Sequence, residues 1–315
     1  MATIADVATL AGVSKATASR AFSRPEMVSP ATAQRVRDAA GKLGFVVNNT
    51  ARLLAGGRTG VIALVVPTLD NSFFTPIIGG AQARADAAGF QLTVVVHPLE
   101  RTGELAAFER LSRQVDGFIV VAPRGTDDLV VTAGGSKPSV LVDREIDGVT
   151  SVVADTASAF GSLAERFVRD GHERLVYVGG PEGSWQDAQR TAAVRAAAEA
   201  LGARLGVVGP HPSTFAAGVA AAADVRRHDP TAVIPYATAI GLGIQYAYLA
   251  DGAKPPVVSS ERAIVEALGL RGVPAIDVDG QELGRLAAEL VIARIADPAT
   301  PPAQSRLVVP VDWGA

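Results

Sequence analysis

Residues 3 to 20 limit the fold more tightly than any other stretch. Ile4, Val7, Ala8 and Ala11 stand at i, i+3, i+4 and i+7, one apolar stripe on a short helix. Gly12 permits a tight turn, and Ser14 is a suitable N-cap for a second helix. Thr17, Ala18 and Ala21 then form the inward face of that helix, so Lys15, Ala16, Ser19 and Arg20 point outward. Together these are a helix-turn-helix. A third helix is framed by Ser29 as cap, Pro30 at the first helical position and Gly44 beyond the end. Its inward face is Val36, Ala39, Ala40 and Leu43. Spacing alone leaves a three-helix protein-interaction module as the alternative.

Charge separates the two readings. Residues 1 to 58 carry eight Lys or Arg against three acidic residues, while the whole chain is −3. The head is therefore +5 and the remainder −8. A cationic head suits phosphate, and an acidic body stays clear of a duplex.

The head resembles the DNA-binding domain of the lactose-repressor (LacI/GalR) family, which begins T-I-x-D-V-A-x-x-A-G-V-S-x-x-T-V-S-R. The match runs from Thr3 to Arg20, with Ala18 where the family usually has Val. Leu43-Gly44-Phe45 and Asn48-x-x-Ala51-Arg52-x-Leu54 resemble the third-helix exit and hinge helix, with Val47 in place of a usual Pro. The resemblance implies that Lys15, Ala16 and Arg20 enter the major groove, Arg20 being suited to guanine O6 and N7. It implies phosphate contacts for Ser14 and Thr17. Leu54 would be a wedge in the minor groove, and Ala51 would be small enough for two hinge helices to meet. A helix as short as 49 to 55 is marginal alone, so it is expected to form on DNA when two copies pair.

Behind the head the chain alternates strand-like and helical runs. Val61–Val66, Gln91–Val96, Gly117–Ala122, Ser139–Asp143, Arg174–Gly179, Ala232–Tyr236 and Pro256–Ser260 read as strands. Phe74–Ala88, Ala157–Arg169, Gln186–Leu201 and Leu283–Ala296 read as helices. Nearly continuous apolar strands in such alternation imply α/β architecture with doubly wound parallel sheets. The expected division is a helix-turn-helix domain at 1–48, a hinge and linker at 49–58, and a body at 59–315. Within the body, lobe 1 is expected at about 59–153 and 279–304, and lobe 2 at about 154–278 and 305–315. The resemblance implies a two-lobed, periplasmic-binding-protein-like body.

Ligands of open parallel sheets sit beyond the carboxyl ends of the strands. Those positions hold Asp70, Asn71, Phe73 and Phe74, then Asp143-Arg144, a glycine-rich turn at 179–183 with Trp185 and Arg190, then Tyr236, and Ser259-Ser260-Glu261. Aromatic faces with a few charged groups suit a small polar molecule. The resemblance singles out Phe73, Asp143, Arg190 and Glu261 as effector contacts. It also exposes a departure: the family's A-N-D-x-x-A-x-G becomes Ala237-Thr238 followed by Ala239-Ile240-Gly241-Leu242-Gly243. Losing that Asn makes an ordinary sugar a poorer candidate, and a decayed pocket is the alternative.

Catalytic classes find no support. The chain has no Cys, and His97, His172, His211 and His228 are scattered without metal-ligand spacing, so neither a metal nor a cofactor is expected. The turn at 179–183 lacks the Gly-Lys-Ser/Thr of a P-loop, and no Gly-x-Ser-x-Gly elbow occurs. A solute-binding protein for transport fits the body alone. The N-terminal residues have no basic start and no apolar signal core, so a cytoplasmic chain is expected. The expectation is a homodimeric regulator, acting as a repressor on a palindromic operator and answering to a small molecule between the lobes. Without a heptad extension at Trp313-Gly314-Ala315, no coiled-coil tetramer is expected.

Overall fold

The computed structural model describes residues 2–23, 27–45, 58–135, 137–254, 256–267, 269, 271 and 273–313. It divides into two compact units, Met1–Gly60 and Val61–Ala315.

In the first unit, α1 (Ile4–Ala11), α2 (Lys15–Ser23) and α3 (Pro30–Leu43) enclose a small core. Thr3 and Asp6 form a capping box that starts α1, and Gly12 ends it in the left-handed region at φ 66°. Val7, Ala8, Ala11, Ala18, Ala21, Val36, Ala39 and Ala40 pack together, with Phe22 and Phe45 at the margin. Alanines at most of these positions let the helices approach closely, which a core this small requires. Leu43 departs from the expected inward face: it is 37 % exposed, and Ala33 takes the buried position one turn from Val36.

In the second unit, β1 (Val61–Val66), α4 (Phe74–Ala87), β2 (Gln91–Val96), α5 (Leu105–Ser112), β3 (Gly117–Val121), α6 (Asp127–Gly134), β4 (Ser139–Val142) and β5 (Ser151–Ala154) open the first sheet and its helices. Next come α7 (Thr156–Arg169), β6 (Arg174–Val178), α8 (Trp185–Ala200), β7 (Arg204–Val208), α9 (Phe215–Arg227), β8 (Ala232–Pro235), α10 (Thr238–Ala250) and β9 (Val257–Val258). The chain closes with β10 (Ser260–Glu261), α11 (Arg262–Ala267), β11 (Ala275–Ile276), α12 (Gly280–Ala296), β12 (Gln304–Leu307) and β13 (Val311–Asp312).

The first sheet runs β12-β5-β4-β3-β1-β2 and the second β7-β6-β8-β9, both with parallel pairing. A small sheet, β10-β11-β13, joins the crossing segments. Central β3 is buried along its whole length, as expected for a strand covered on both faces. Edge strand β2 alternates instead, leaving Val94 and Val96 exposed.

Two boundaries differ from expectation. Ser151–Ala154 lies wholly in the first sheet, so the first crossing follows Ala154. Gln304–Leu307 also belongs there, paired in parallel with Ser151–Ala154, so the return crossing follows Leu307 and does not fall at residue 305. Strand β12 was hard to anticipate because its burial pattern is that of a half-exposed edge. Helices α4 and α12 cover the first sheet together and pack closely. Their approach requires Gly80, where a Cβ would overlap the Gln281 carbonyl oxygen.

Candidate functional site

The first unit presents one outward face of α2. Lys15, Ala16 and Arg20 are exposed there, while Ala18 and Ala21 are buried behind them. The Ser14 hydroxyl caps α2, accepting from Thr17 N at 3.0 Å, and lies 2.8 Å from Thr17 Oγ1. Both hydroxyls thus hold the start of the helix and remain at the surface. Asn48, Ala51 and Leu54 lie outside the described residues.

The second unit contains a cavity of about 40 Å³ at the carboxyl ends of both sheets. Phe73, Asp143, Arg190 and Glu261, drawn from four separated segments, all line it. Phe73 and Phe74 meet edge to face with centroids 5.9 Å apart; Phe74 is mostly core, and Phe73 is half-buried.

Asp143 follows β4 and is 2 % exposed. Its backbone is left-handed at φ 56°, and Ala122, which follows β3, is left-handed at φ 44°. Such conformations cost non-glycine residues about 1–3 kcal/mol and concentrate at functional sites. Asp143 Oδ1 accepts from Ala154 N at 3.0 Å and from Gln186 Nε2 at 3.0 Å. Burial pushes the Asp143 carboxyl above its ordinary range; the Ala154 N–H, the Arg190 charge and the Gln186 amide oppose this without reversing it.

Arg190 projects from α8 and is 7 % exposed. Its Nε donates to Thr156 Oγ1 at 2.8 Å and its Nη1 to the Tyr236 carbonyl at 2.9 Å. The guanidinium carbon lies over two rings, 4.7 Å from the centroids of both Phe160 and Tyr236. Thr156 passes the chain of hydrogen bonds to Gln186 Oε1 at 2.9 Å. One polar network thus joins Arg190, Thr156, Gln186 and Asp143. Burial also raises the Glu261 carboxyl, opposed by the Thr238 hydroxyl and the Arg190 charge. Glu261 N donates to Thr238 Oγ1 at 3.1 Å, so Thr238 positions Glu261 from the start of α10.

Other residues proposed from the sequence stand apart. Arg144 turns away to bond Asp127 at 2.6 Å and the Pro123 carbonyl at 2.8 Å. Trp185 begins α8 and does not line the cavity. Thr156, Phe160 and Gln186 went unrecognised. Gln186 had a readable signal, since it lies four residues before Arg190 and so shares its helix face.

A second cavity of about 190 Å³ adjoins the first, sharing Asn71, Phe74, Ala122 and Tyr236. At its margin Gly183, with φ 75°, meets Arg124 so closely that a Cβ would overlap the Arg124 carbonyl. Arg124 follows β3 and Gly183 precedes α8, so the two sheet systems touch there.

Comparison with known proteins places these features. Residues 3–48 match the family described as bacterial regulatory proteins, lacI family. Residues 59–312 match the family of periplasmic binding proteins and the sugar binding domain of the LacI family. The chain is 32 % identical over 260 residues to the maltose regulon regulatory protein MalI of Escherichia coli (strain K12), covering 79 % of this chain and 76 % of that protein. It is 26 % identical to the HTH-type transcriptional regulator CelR of Thermobifida fusca, covering 95 % and 94 %. In fold it resembles the Lac repressor dimer bound to operator and the anti-inducer ONPF, with a TM-score of 0.81 at 21 % identity over 98 % and 97 % of the two chains. Among the described residues no helix is long and apolar enough to cross a membrane. The chain belongs to the lacI family of bacterial regulatory proteins, as a transcription regulator with an N-terminal helix-turn-helix and a periplasmic-binding-protein-like body.

Proposed function

We propose that this regulator is a cytoplasmic repressor that binds a palindromic operator as a homodimer and responds to a small polar molecule held between two lobes. The observation that carries the effector half is convergence. Phe73, Asp143, Arg190 and Glu261 come from distant segments and line one cavity. On the DNA side, Lys15, Ala16 and Arg20 read base edges in the major groove, while Ser14 and Thr17 hold phosphates. Asn48, Ala51 and Leu54 serve the hinge, with Leu54 as the minor-groove wedge. This reading divides the chain into a head at 1–48, a hinge and linker at 49–58, and a two-lobed body from 59 onward.

The effector acts only through its differential affinity for two lobe arrangements. The close contact of Gly183 with Arg124 would belong to one such arrangement. Chains named for cellobiose and ribose complexes share this fold, which supports a polar ligand of metabolite size. A body that binds solute without a transcriptional role is the competing reading, disfavoured by the cationic head.

The test is fluorescence anisotropy with fragments from the gene's own neighbourhood, followed by a thermal-shift screen of sugars, nucleosides and phosphorylated metabolites. A salt-sensitive, sequence-specific complex that one screened compound strengthens or releases is expected. Binding indifferent to DNA sequence would refute the regulator's DNA half. A screen without any hit would leave a decayed pocket as the conclusion.

A further inference from the structure

We infer that this regulator carries a second ligand site, apart from the cleft, in a cavity at the amino ends of β4 and β5, and that the site takes a small organic carboxylate with an apolar body. The effector reading above is not needed for it.

The cavity measures about 190 Å³ and is lined from α6, β3, β4, the turn before β5 and the last turns of α12. Ser139 opens β4 and Thr150 stands just before β5, whereas Asp143, in the cleft, follows β4 at its other end. The length of a strand therefore separates the two sites. They share no lining residue.

Donors meet here without an anion. Lys137 and Arg294 both line the cavity, and among the described residues no acid does. Asp147, beside the lining turn, is exposed and stands outside it. Arg294 Nη1 donates to two neutral oxygens, Thr150 Oγ1 at 3.3 Å and the Thr300 carbonyl at 2.9 Å. Its Nε is buried without a partner, which costs a donor about 1–3 kcal/mol. Thr150 is 2 % exposed, and its Oγ1 accepts from Arg294 and, at 3.4 Å, from Ala303 N, which leaves the hydroxyl hydrogen to donate. Nor is the Lys137 ammonium needed to satisfy the end of α6. The last carbonyl of that helix, on Gly134, already accepts from Lys137 N at 3.2 Å and from Ser139 Oγ at 3.0 Å.

The rest of the lining selects the class of anion. Val120, Val130 and Leu141 are almost wholly buried, and Val149 is half-buried. Inorganic phosphate would lose hydration against these side chains and gain nothing from them. A carboxylate offers two acceptor oxygens to the cations and the Thr150 hydroxyl, while its carbon body covers the valines. A cavity of about 150 Å³ can hold benzene, so this one has room for an aromatic acid of benzoate's size.

Benzoate is the probe, with benzamide as its neutral counterpart and inorganic phosphate as the bare anion, all at equal ionic strength. Thermal unfolding of the full-length protein should show a saturable rise in Tm of about 2–4 °C once benzoate exceeds its Kd about fivefold, and a smaller rise with the other two. By calorimetry, Lys137→Gln should weaken benzoate about tenfold, and Lys137→Arg should keep the affinity. Arg190→Lys, in the cleft, should not change it. The absence of a saturable rise, or an equal one with benzamide, would overturn the inference, and tighter binding of phosphate would overturn the choice of carboxylate. Affinity kept in Lys137→Gln but lost in Arg190→Lys would move the anion to the cleft and remove the second site.

Discussion

Gln186 Nε2 donates to Asp143 Oδ1 at 3.0 Å, joining α8 beside the second sheet to the carboxyl end of β4 in the first. The same amide nitrogen reaches the Ala154 carbonyl at 3.2 Å, on the segment where the chain first crosses. A ligand that engages Asp143 or Arg190 therefore acts on groups already tied across the cleft. Under the proposed function, this would be a physical route by which occupancy biases lobe arrangement.

Gly183→Ala is expected to prop this cleft open. The new methyl would overlap the Arg124 carbonyl, and φ 75° is strained for any residue with a Cβ. Small-angle scattering should show a larger radius of gyration than wild type, with weaker binding of any effector the screen finds. An unchanged scattering curve would mean that contact at Gly183 does not limit closure.

Neighbouring glycines on α4 should respond in opposite directions. Gly79 is exposed with open space at its Cβ position, so Gly79→Ala should stabilise by about 0.5–1 kcal/mol through helix propensity. Gly80 faces the Gln281 carbonyl, so Gly80→Ala should cost about 1–3 kcal/mol as α12 is pushed away. Thermal unfolding of the two variants beside wild type decides it; shifts of the same sign would contradict the packing described.

The buried carboxyls give stability a defined pH dependence. Burial raises Asp143 and Glu261, so the folded protein keeps these protons at pH values where the unfolded chain has released them. Stability from these groups is full below the unfolded carboxylate values of about 4, and it is lost as pH rises through the raised folded values. Asp143→Asn retains an oxygen to accept from Ala154 N and Gln186 while removing the titration. Its Tm relative to wild type should therefore climb as pH rises above about 4. A difference that stays flat as pH rises would show that Asp143 titrates alike in both states.

Arg20→Ala should weaken operator discrimination by about 1–3 kcal/mol and spare the fold. Arg20 is exposed on the outer face of α2, away from the core of Val7, Ala18 and Val36. A bidentate arginine–guanine contact is worth about 1–3 kcal/mol of discrimination. Anisotropy titrations against operator and a scrambled duplex measure it, with Tm as the control. Undiminished discrimination at an unchanged Tm would remove Arg20 from the reading face.

Much of this molecule was readable from residue order alone. The head was legible because its determinants are local: stripes at helical spacing, a cap at Ser14, Pro30 at a helix start and Gly12 and Gly44 at helix ends. Buried parallel strands such as Val61–Val66 announced themselves as apolar runs. Residues at strand ends came from a general rule of open sheets, and so Asp143, Tyr236 and Glu261 reached the candidate pocket. Tertiary structure alone decided the rest. Gln304–Leu307 joins the first sheet by pairing with a segment some 150 residues away, and nothing local in its half-exposed pattern encodes that partner. The network from Arg190 through Thr156 and Gln186 to Asp143 likewise joins segments far apart in the chain, so only folding brings its donors to its acceptors. Periodicity and capping are written within a few residues, whereas cavity shape and the pairing of buried charge depend on which distant surfaces meet.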